Sequence, residues 1–175
     1  YGYHRASKPN SYYADGTKNM GAITGELINE ALGALKNTIN WDELSTTVKG
    51  DGRTYFTAIN FFHSGNTGGV WSKGLWPHKW AVYKNGGIWG VSNSNTGKTT
   101  YFGTYQITNM GTSLALSTFC HETGHVLFLW PDFYDYGYES NGTGSYDLMA
   151  SSGPSNDPYP PNGYLRYKEG WENSV

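Results

Sequence analysis

Cysteine is almost absent from this chain. Cys120 is the only one in 175 residues, which excludes an internal disulfide and any cluster of thiolate metal ligands. Charge is scarce too: charged residues make up 15%, and 12 Lys+Arg against 14 Asp+Glu leave a net charge of −2. That balance offers no electrostatic footprint for nucleic acid or for an anionic membrane surface. No apolar run approaches the roughly 18 residues that a membrane span needs. The chain opens at Tyr1 without a charged-then-apolar leader, so any targeting segment is expected to have been removed or left out. Repeats, linkers and low-complexity segments are also missing, and one domain over residues 1–175 is expected.

What is abundant is aromatic or small. There are 15 Tyr, 7 Trp and 7 Phe beside 24 Gly, and rings at 17% of the chain demand burial or a ligand. This is the composition of a loop-rich globular domain. Low charge with many Tyr, Gly, Asn, Ser and Thr suits a bacterial exported protein, and secretion is the expectation.

Periodicity predicts few regular elements. Residues 1–20 read as loop and extended chain, broken by Pro9, Asn10 and Asp15-Gly16. Ile23, Leu27, Ile28, Ala31, Leu32 and Leu35 recur at helical spacing and predict an amphipathic helix over 23–39, with Thr17 or Asn19 as N-cap. Trp41 to Gly52 reads as a turn region. Tyr55 to His63 predicts a strand, and Tyr101 to Thr108 another. Between them, Trp80 to Tyr83 and Gly90 to Ser92 are expected to be short strands around the hairpin signal Asn85-Gly86-Gly87. A second helix is predicted over 113–128, and the rest is loop until a short element at Tyr164 to Gly170.

The second helix carries His121-Glu122-Thr123-Gly124-His125. Positions four apart share a helix face, so both imidazoles can aim at one cation with Glu122 beside them. Zn²⁺ takes neutral imidazole nitrogens, and a catalytic site needs three protein ligands and an open position for water. The ion lowers that water's pKa toward about 7, and a neighbouring carboxylate can take its proton as it attacks a carbonyl. Composition alone would give about 0.006 copies of this pattern, so it is a specific signal. The competing reading is a helix with polar residues on an exposed face, which the apolar flanks at Leu114 to Phe119 and Val126 to Leu129 oppose.

A third ligand is expected at Asp132, seven residues past His125 on a turn forced by Pro131, with Asp135 in reserve. Met149, in Ser145-Tyr146-Asp147-Leu148-Met149-Ala150-Ser151-Ser152-Gly153, is placed to form a tight turn beneath the ligands. Asp135, Glu139, Asn141, Asp147 and Asp157 supply hard oxygens for a structural Ca²⁺, or else simply form a solvated loop. His63 and His78 are candidate rim residues, with a packed structural role as the commoner outcome. Cys120 falls away from the ligand face and reads as a small buried hydrophobe. An oxyanion stabiliser stays open among Tyr134, Tyr146, Tyr159 and Tyr164.

These residues resemble the immune inhibitor A-type metallopeptidases. The resemblance rests on His-Glu-Thr-Gly-His-Val-Leu, on Pro131-Asp132-Phe133-Tyr134-Asp135, and on Tyr146-Asp147-Leu148-Met149-Ala150-Ser151. Upstream, Ile59 to Gly65 and Trp71 to Trp80 are similar to that family's strand and glycine loop; downstream, Asn162-Gly163-Tyr164 to Gly170-Trp171 is similar to its closing segment. Snapalysin-type proteases share the helix motif but match the remainder less well. The resemblance implies an α+β zincin/metzincin-like catalytic domain: a small mixed twisted sheet, an active-site helix, a second packing helix and a loop-rich C-terminal part with a Met-turn. It also implies a secreted, monomeric zinc endopeptidase acting on protein or peptide substrates, with Glu122 as base and His121, His125 and Asp132 on the metal. The family has Gly at the third position beyond the second His and Asp at the sixth. Here Phe128 stands in the Gly position and Asp132 comes one residue late, so the turn is expected to form through a longer helix and a kink at Pro131. The family's leading apolar strand and helix are not visible, and a compact or trimmed form is expected. Two alternatives from other classes are a carbohydrate- or protein-binding module with a structural metal and an inactive metalloprotease-like domain.

Overall fold

A computed structural model describes residues 3–93, 96–111 and 115–173. The described residues form a mixed α+β fold of four α-helices and small sheets. After a one-turn helix α1 (Asn10–Tyr13) comes α2 (Met20–Leu35), started by Asn19, whose side chain accepts from the Ala22 N–H at 3.0 Å. Its buried face is Met20, Ile23, Thr24, Ile28, Ala31 and Leu32. Each large apolar side chain buried there contributes about 1.5–3 kcal/mol. The helix ends four residues before the predicted Ile39. The Thr38 hydroxyl takes the Leu35 carbonyl at 3.0 Å and the Trp41 indole takes that of Lys36 at 2.8 Å, so side chains satisfy the last turn.

Among the described residues nine short strands follow. β1 (Thr46–Val48), β2 (Thr54–Phe56), β8 (Thr99–Tyr101) and β7 (Gly90–Ser92) form a sheet in the order β1-β2-β8-β7. β3 (Ile59–His63), β9 (Thr104–Asn109) and β4 (His78–Ala81) form a second, in the order β3-β9-β4. The expected single strand 55–63 is therefore two strands, and so is 101–108. The break lies at Gly103, whose φ is +64° and whose missing Cβ would stand 3.0 Å from the Tyr55 ring. Pairing resumes in the same parallel register beyond it, Thr54 with Thr100 and Ile59 with Tyr105, so one long ladder is bent into two sheets.

The predicted hairpin turn is present, with Asn85 and Gly86 at φ +52° and +77° as a type I′ turn requires. Its partners differ from expectation: β5 (Tyr83–Lys84) pairs with β6 (Gly87–Ile88). Gly90 instead brings β7 against β8, where a Cβ would meet the Thr100 carbonyl at 2.4 Å. The 41–52 region, expected as turn, holds a 3₁₀ turn (Trp41–Glu43) and β1.

β9 is the central strand, buried along Tyr105–Thr108. Alternation sends Tyr105 and Ile107 into an apolar cluster with Ile23, Ile28 and Leu32 of α2, and Gln106 and Thr108 toward the opposite face. There α3 (Leu116–Leu127) packs, and Gln106 binds it through polar contacts: its Nε2 donates to Thr123 Oγ1 at 3.2 Å and Asn60 Oδ1 at 2.9 Å, while Thr108 donates to its Oε1 at 2.9 Å. Buried amides persist when every group is paired, and this one is. The expected start of α3 at Ser113 and Leu114 lies outside the described residues. The last helix, α4 (Gly163–Lys168), is capped by Asn162 and sends Leu165 into a second apolar cluster with Trp130, Leu148 and Met149. Among the described residues no helix is long and apolar enough to cross a membrane.

Glu30 of α2 ties down the N-terminal segment. Its carboxylate accepts from the Ser7 N–H and hydroxyl and from Tyr13, and it meets the His4 imidazole. The Ser7 hydroxyl is the main cause that lowers its pKa from 4.5 to about 2. A depressed folded-state value means that the stabilisation is complete above 4.5 and is lost as pH falls toward about 2. Thermal melts of wild type and Glu30→Gln are expected to differ most at neutral pH and to converge across that acid window. A constant difference down to the lower value would show that the charge plays no part.

Candidate metal centre

α3 runs under the C-terminal loops, and those loops orient it. Its first turn is capped from outside, with the Ser117 N–H donating to the Ser155 carbonyl at 3.1 Å. Gly124 lies between the two histidines. A Cβ there would stand 2.8 Å from Met149 Sδ and 2.9 Å from the Trp130 ring, so only glycine lets the fully buried Met149 lie against the helix.

His121 is buried, and its Nδ1 is 2.9 Å from the Leu148 carbonyl and 3.1 Å from Ser152 Oγ. His125 Nδ1 is 2.6 Å from the Trp130 carbonyl. A carbonyl only accepts, so each Nδ1 carries its proton and each neutral ring turns a lone pair outward at Nε2. Those two Nε2 atoms lie 3.1 Å apart, and Asp132 Oδ1 lies 3.1 Å from both. Oδ1 is buried and receives no well-directed hydrogen bond. Three lone-pair atoms converge with no donor among them, an arrangement that asks for a cation. The other carboxylate oxygen, Oδ2, accepts from the Tyr136 hydroxyl at 2.5 Å.

The charges follow this geometry. Burial alone would raise the Asp132 pKa, but the His121 and His125 rings 3.1 Å from Oδ1 and the Tyr136 hydroxyl on Oδ2 outweigh it and hold the carboxyl well below its ordinary range. For His121, burial pushes downward and is outweighed by Asp132, the Leu148 carbonyl and the Glu122 charge, which leave its pKa raised. Glu122 is buried beside the pair, and its pKa is pushed up chiefly by burial.

Of the residues singled out in the sequence, His121, Glu122, His125 and Asp132 come together. Asp135 does not: its carboxylate accepts from the Gly137, Glu139 and Ser140 N–H groups and organises its own loop. Asp147, fully buried, accepts from Thr143, the Met149 N–H and both nitrogens of Asn162, which shapes the Met149 turn. Among the described residues the group of His, Cys, Asp and Glu side chains close enough to share an ion is His121, His125 and Asp132; the remaining calcium candidates form no such group. His78 is a core residue, bound to the Trp76 carbonyl at 2.5 Å and the Tyr105 hydroxyl at 2.9 Å. His63 lies at the end of β3, with Nδ1 3.3 Å from the Ser64 carbonyl. Cys120 packs against the second apolar cluster, and burial raises its thiol pKa, the reverse of an activated nucleophile.

With Phe128 and not a glycine after α3, the chain reverses through another residue's conformation. α3 stops at Leu127, and Leu129 takes φ +56°, which turns the chain back so that the Trp130 N–H reaches the Gly124 carbonyl at 3.3 Å. The turn is thus made before Pro131 by a left-handed leucine, not by a longer helix kinked at the proline. Sequence reasoning missed Tyr136, Ser152, the Gln106 network and the Leu148 and Trp130 carbonyls. Only Tyr136 left a signal, as a hydroxyl four residues past Asp132.

Two outcomes are expected. Leu129 is 72% exposed and has little packing to lose, so Leu129→Gly should raise stability by about 0.5–1 kcal/mol in urea denaturation; a loss would show that the left-handed turn is unstrained. Asp132→Ala should weaken divalent-metal binding by more than about 10²-fold in calorimetric titration. Asp135→Ala should leave that binding largely intact, and the opposite ranking would move the site three residues along.

No protein-family model and no curated protein matches this chain, so the functional reading rests on these residues and their geometry.

Proposed function

We propose that the chain is a secreted zinc-dependent endopeptidase with a zincin/metzincin-like catalytic domain, acting on protein or peptide substrates. The observation that carries this is the triangle of His121 Nε2, His125 Nε2 and Asp132 Oδ1, with the buried Glu122 carboxyl next to it. Tetrahedral zinc with bonds of about 2.0–2.1 Å spaces its ligand atoms roughly 3.3 Å apart. The three separations of 3.1 Å suit an ion of that size. Three protein ligands match an open catalytic site better than a closed structural one, which needs a fourth.

Zinc bound there supplies Lewis acidity, polarising a carbonyl and lowering the pKa of water. The protein's own groups do the rest. Glu122 takes a proton from the attacking water as its oxygen bonds to the carbonyl carbon, then passes that proton to the amide nitrogen as the C–N bond breaks. Its burial raises its proton affinity toward the range such a base needs. Among the described residues β4 pairs with β9 alone, and its other edge offers backbone groups to an extended peptide.

Glu122→Gln keeps size and shape but cannot accept the proton. It is expected to fold, keep its zinc, and lose proteolysis of a denatured protein by about 10²–10⁴-fold. Unchanged cleavage by a preparation free of contaminating protease would refute the peptidase reading and favour a structural metal in a binding module.

A further inference from the structure

Trp130 serves the candidate metal centre with its backbone and its ring. Its carbonyl takes the His125 Nδ1–H at 2.6 Å, and its N–H donates to the Gly124 carbonyl at 3.3 Å. Its indole lies against Gly124, between the two histidines. Pro131 follows and disfavours helical conformations at Trp130, so the carbonyl and the step toward Asp132 turn together. Whatever holds the indole therefore bears on His125 and Asp132.

That hold comes from α4. The Trp130 Nε1–H donates to Glu169 Oε1 at 2.9 Å, and the residue is 3% exposed. An indole N–H can only donate, and a buried one needs an acceptor. Phe128 stacks on the ring with centroids 4.6 Å apart, and Trp171 meets both rings edge-on at 5.2 and 5.6 Å. The end of α4 presents Glu169 and Trp171 together. The Gly170 N–H bonds to the Tyr167 carbonyl at 3.0 Å and the Trp171 N–H to that of Arg166 at 2.8 Å. Gly170 takes the φ of +74° that this paired cap requires. Leu165, fully buried beside Trp130 and Met149, anchors α4 independently of its cap.

We propose that Glu169 is a positioning residue for the metal centre, acting through the Trp130 indole to keep the Trp130 carbonyl on His125. This rests on the metal-site part of the reading above and not on peptide cleavage. The partner of a ligand imidazole fixes its tautomer and aim, and losing such a partner costs about 10–100-fold in metal affinity. Glu169 stands one step farther out, bracing the residue that carries the partner, so the lower end of that range applies. Coupling of this kind is reciprocal: a bound ion tightens the cap of α4 on Trp130 by the same factor. His121 lies outside this path, because its Nδ1 faces the Leu148 carbonyl and Ser152 Oγ.

The test is zinc affinity, measured by competition with a chelator at a temperature where every metal-free variant is folded by circular dichroism. Glu169→Leu removes the acceptor at similar length and should weaken zinc binding about 10-fold. Glu169→Gln keeps an oxygen that accepts from the indole and should bind within about 2-fold of wild type. In zinc-loaded, ¹⁵N-labelled protein, Glu169→Leu should shift the His125 Nδ1–H resonance and leave that of His121 in place. Trp130→Phe deletes the same hydrogen bond from the donor side and should also weaken binding, which keeps the test open if Glu169→Leu does not fold. Wild-type affinity in Glu169→Leu or in Trp130→Phe, whatever the change in melting temperature, would overturn the proposal and make Glu169 a support of the fold alone. Equal losses in Glu169→Leu and Glu169→Gln would overturn it too, by assigning the effect to charge. A wild type that binds zinc while Glu169→Leu binds it equally well refutes this inference only; a wild type that binds no divalent ion refutes the metal-site reading with it.

Discussion

Two backbone carbonyls govern this molecule's candidate site. The Leu148 and Trp130 oxygens each hold an imidazole Nδ1–H, and that choice of tautomer turns both Nε2 lone pairs toward Asp132. Without a cation, the cluster is relieved only by shared protons, which is why Asp132 is held acidic and His121 is held basic. Protons and a divalent ion therefore compete for the same three atoms. Most of the remaining architecture serves to place those carbonyls and to hold the helix still between them.

The supports come from three parts of the chain. Gln106 on β9 clasps α3 through Thr123 and fixes where the helix lies on the sheet. Asp147 gathers Thr143, Met149 and Asn162 into the turn that delivers the Leu148 carbonyl and puts Met149 against Gly124. Leu129, left-handed, delivers the Trp130 carbonyl. Each support is a polar or conformational device and not merely apolar burial. Apolar burial alone fixes how much surface is hidden; directional groups fix which atom faces which. The two apolar clusters lie on either side of this arrangement, one under α2 and one around Trp130 and Met149.

The division of labour at Asp132 has a similar logic. One oxygen is left to the convergent imidazoles and the other is occupied by Tyr136, so the carboxylate has a single orientation available. Asp135, on the same turn, is spent on backbone N–H groups and holds the loop closed. Two acids of identical chemistry, three residues apart, thus take different roles through which donors surround them.

By itself the sequence determined the elements whose signal is local: α2 from its 3.6-residue periodicity, the Asn85-Gly86 turn from its two residues, α4 as a short element, and the His121–His125 face from helical geometry. It also marked Glu122 by its place beside His121, and narrowed the acid near the pair to Asp132 with Asp135 in reserve. Only the tertiary structure decided the rest. One extended run became two strands because Gly103 bends the ladder across from it, a contact between residues far apart in the chain. The choice of Asp132 over Asp135 depended on Tyr136 and on the left-handed Leu129, and the orientation of both imidazoles depended on main-chain carbonyls, which every residue carries and no composition can distinguish.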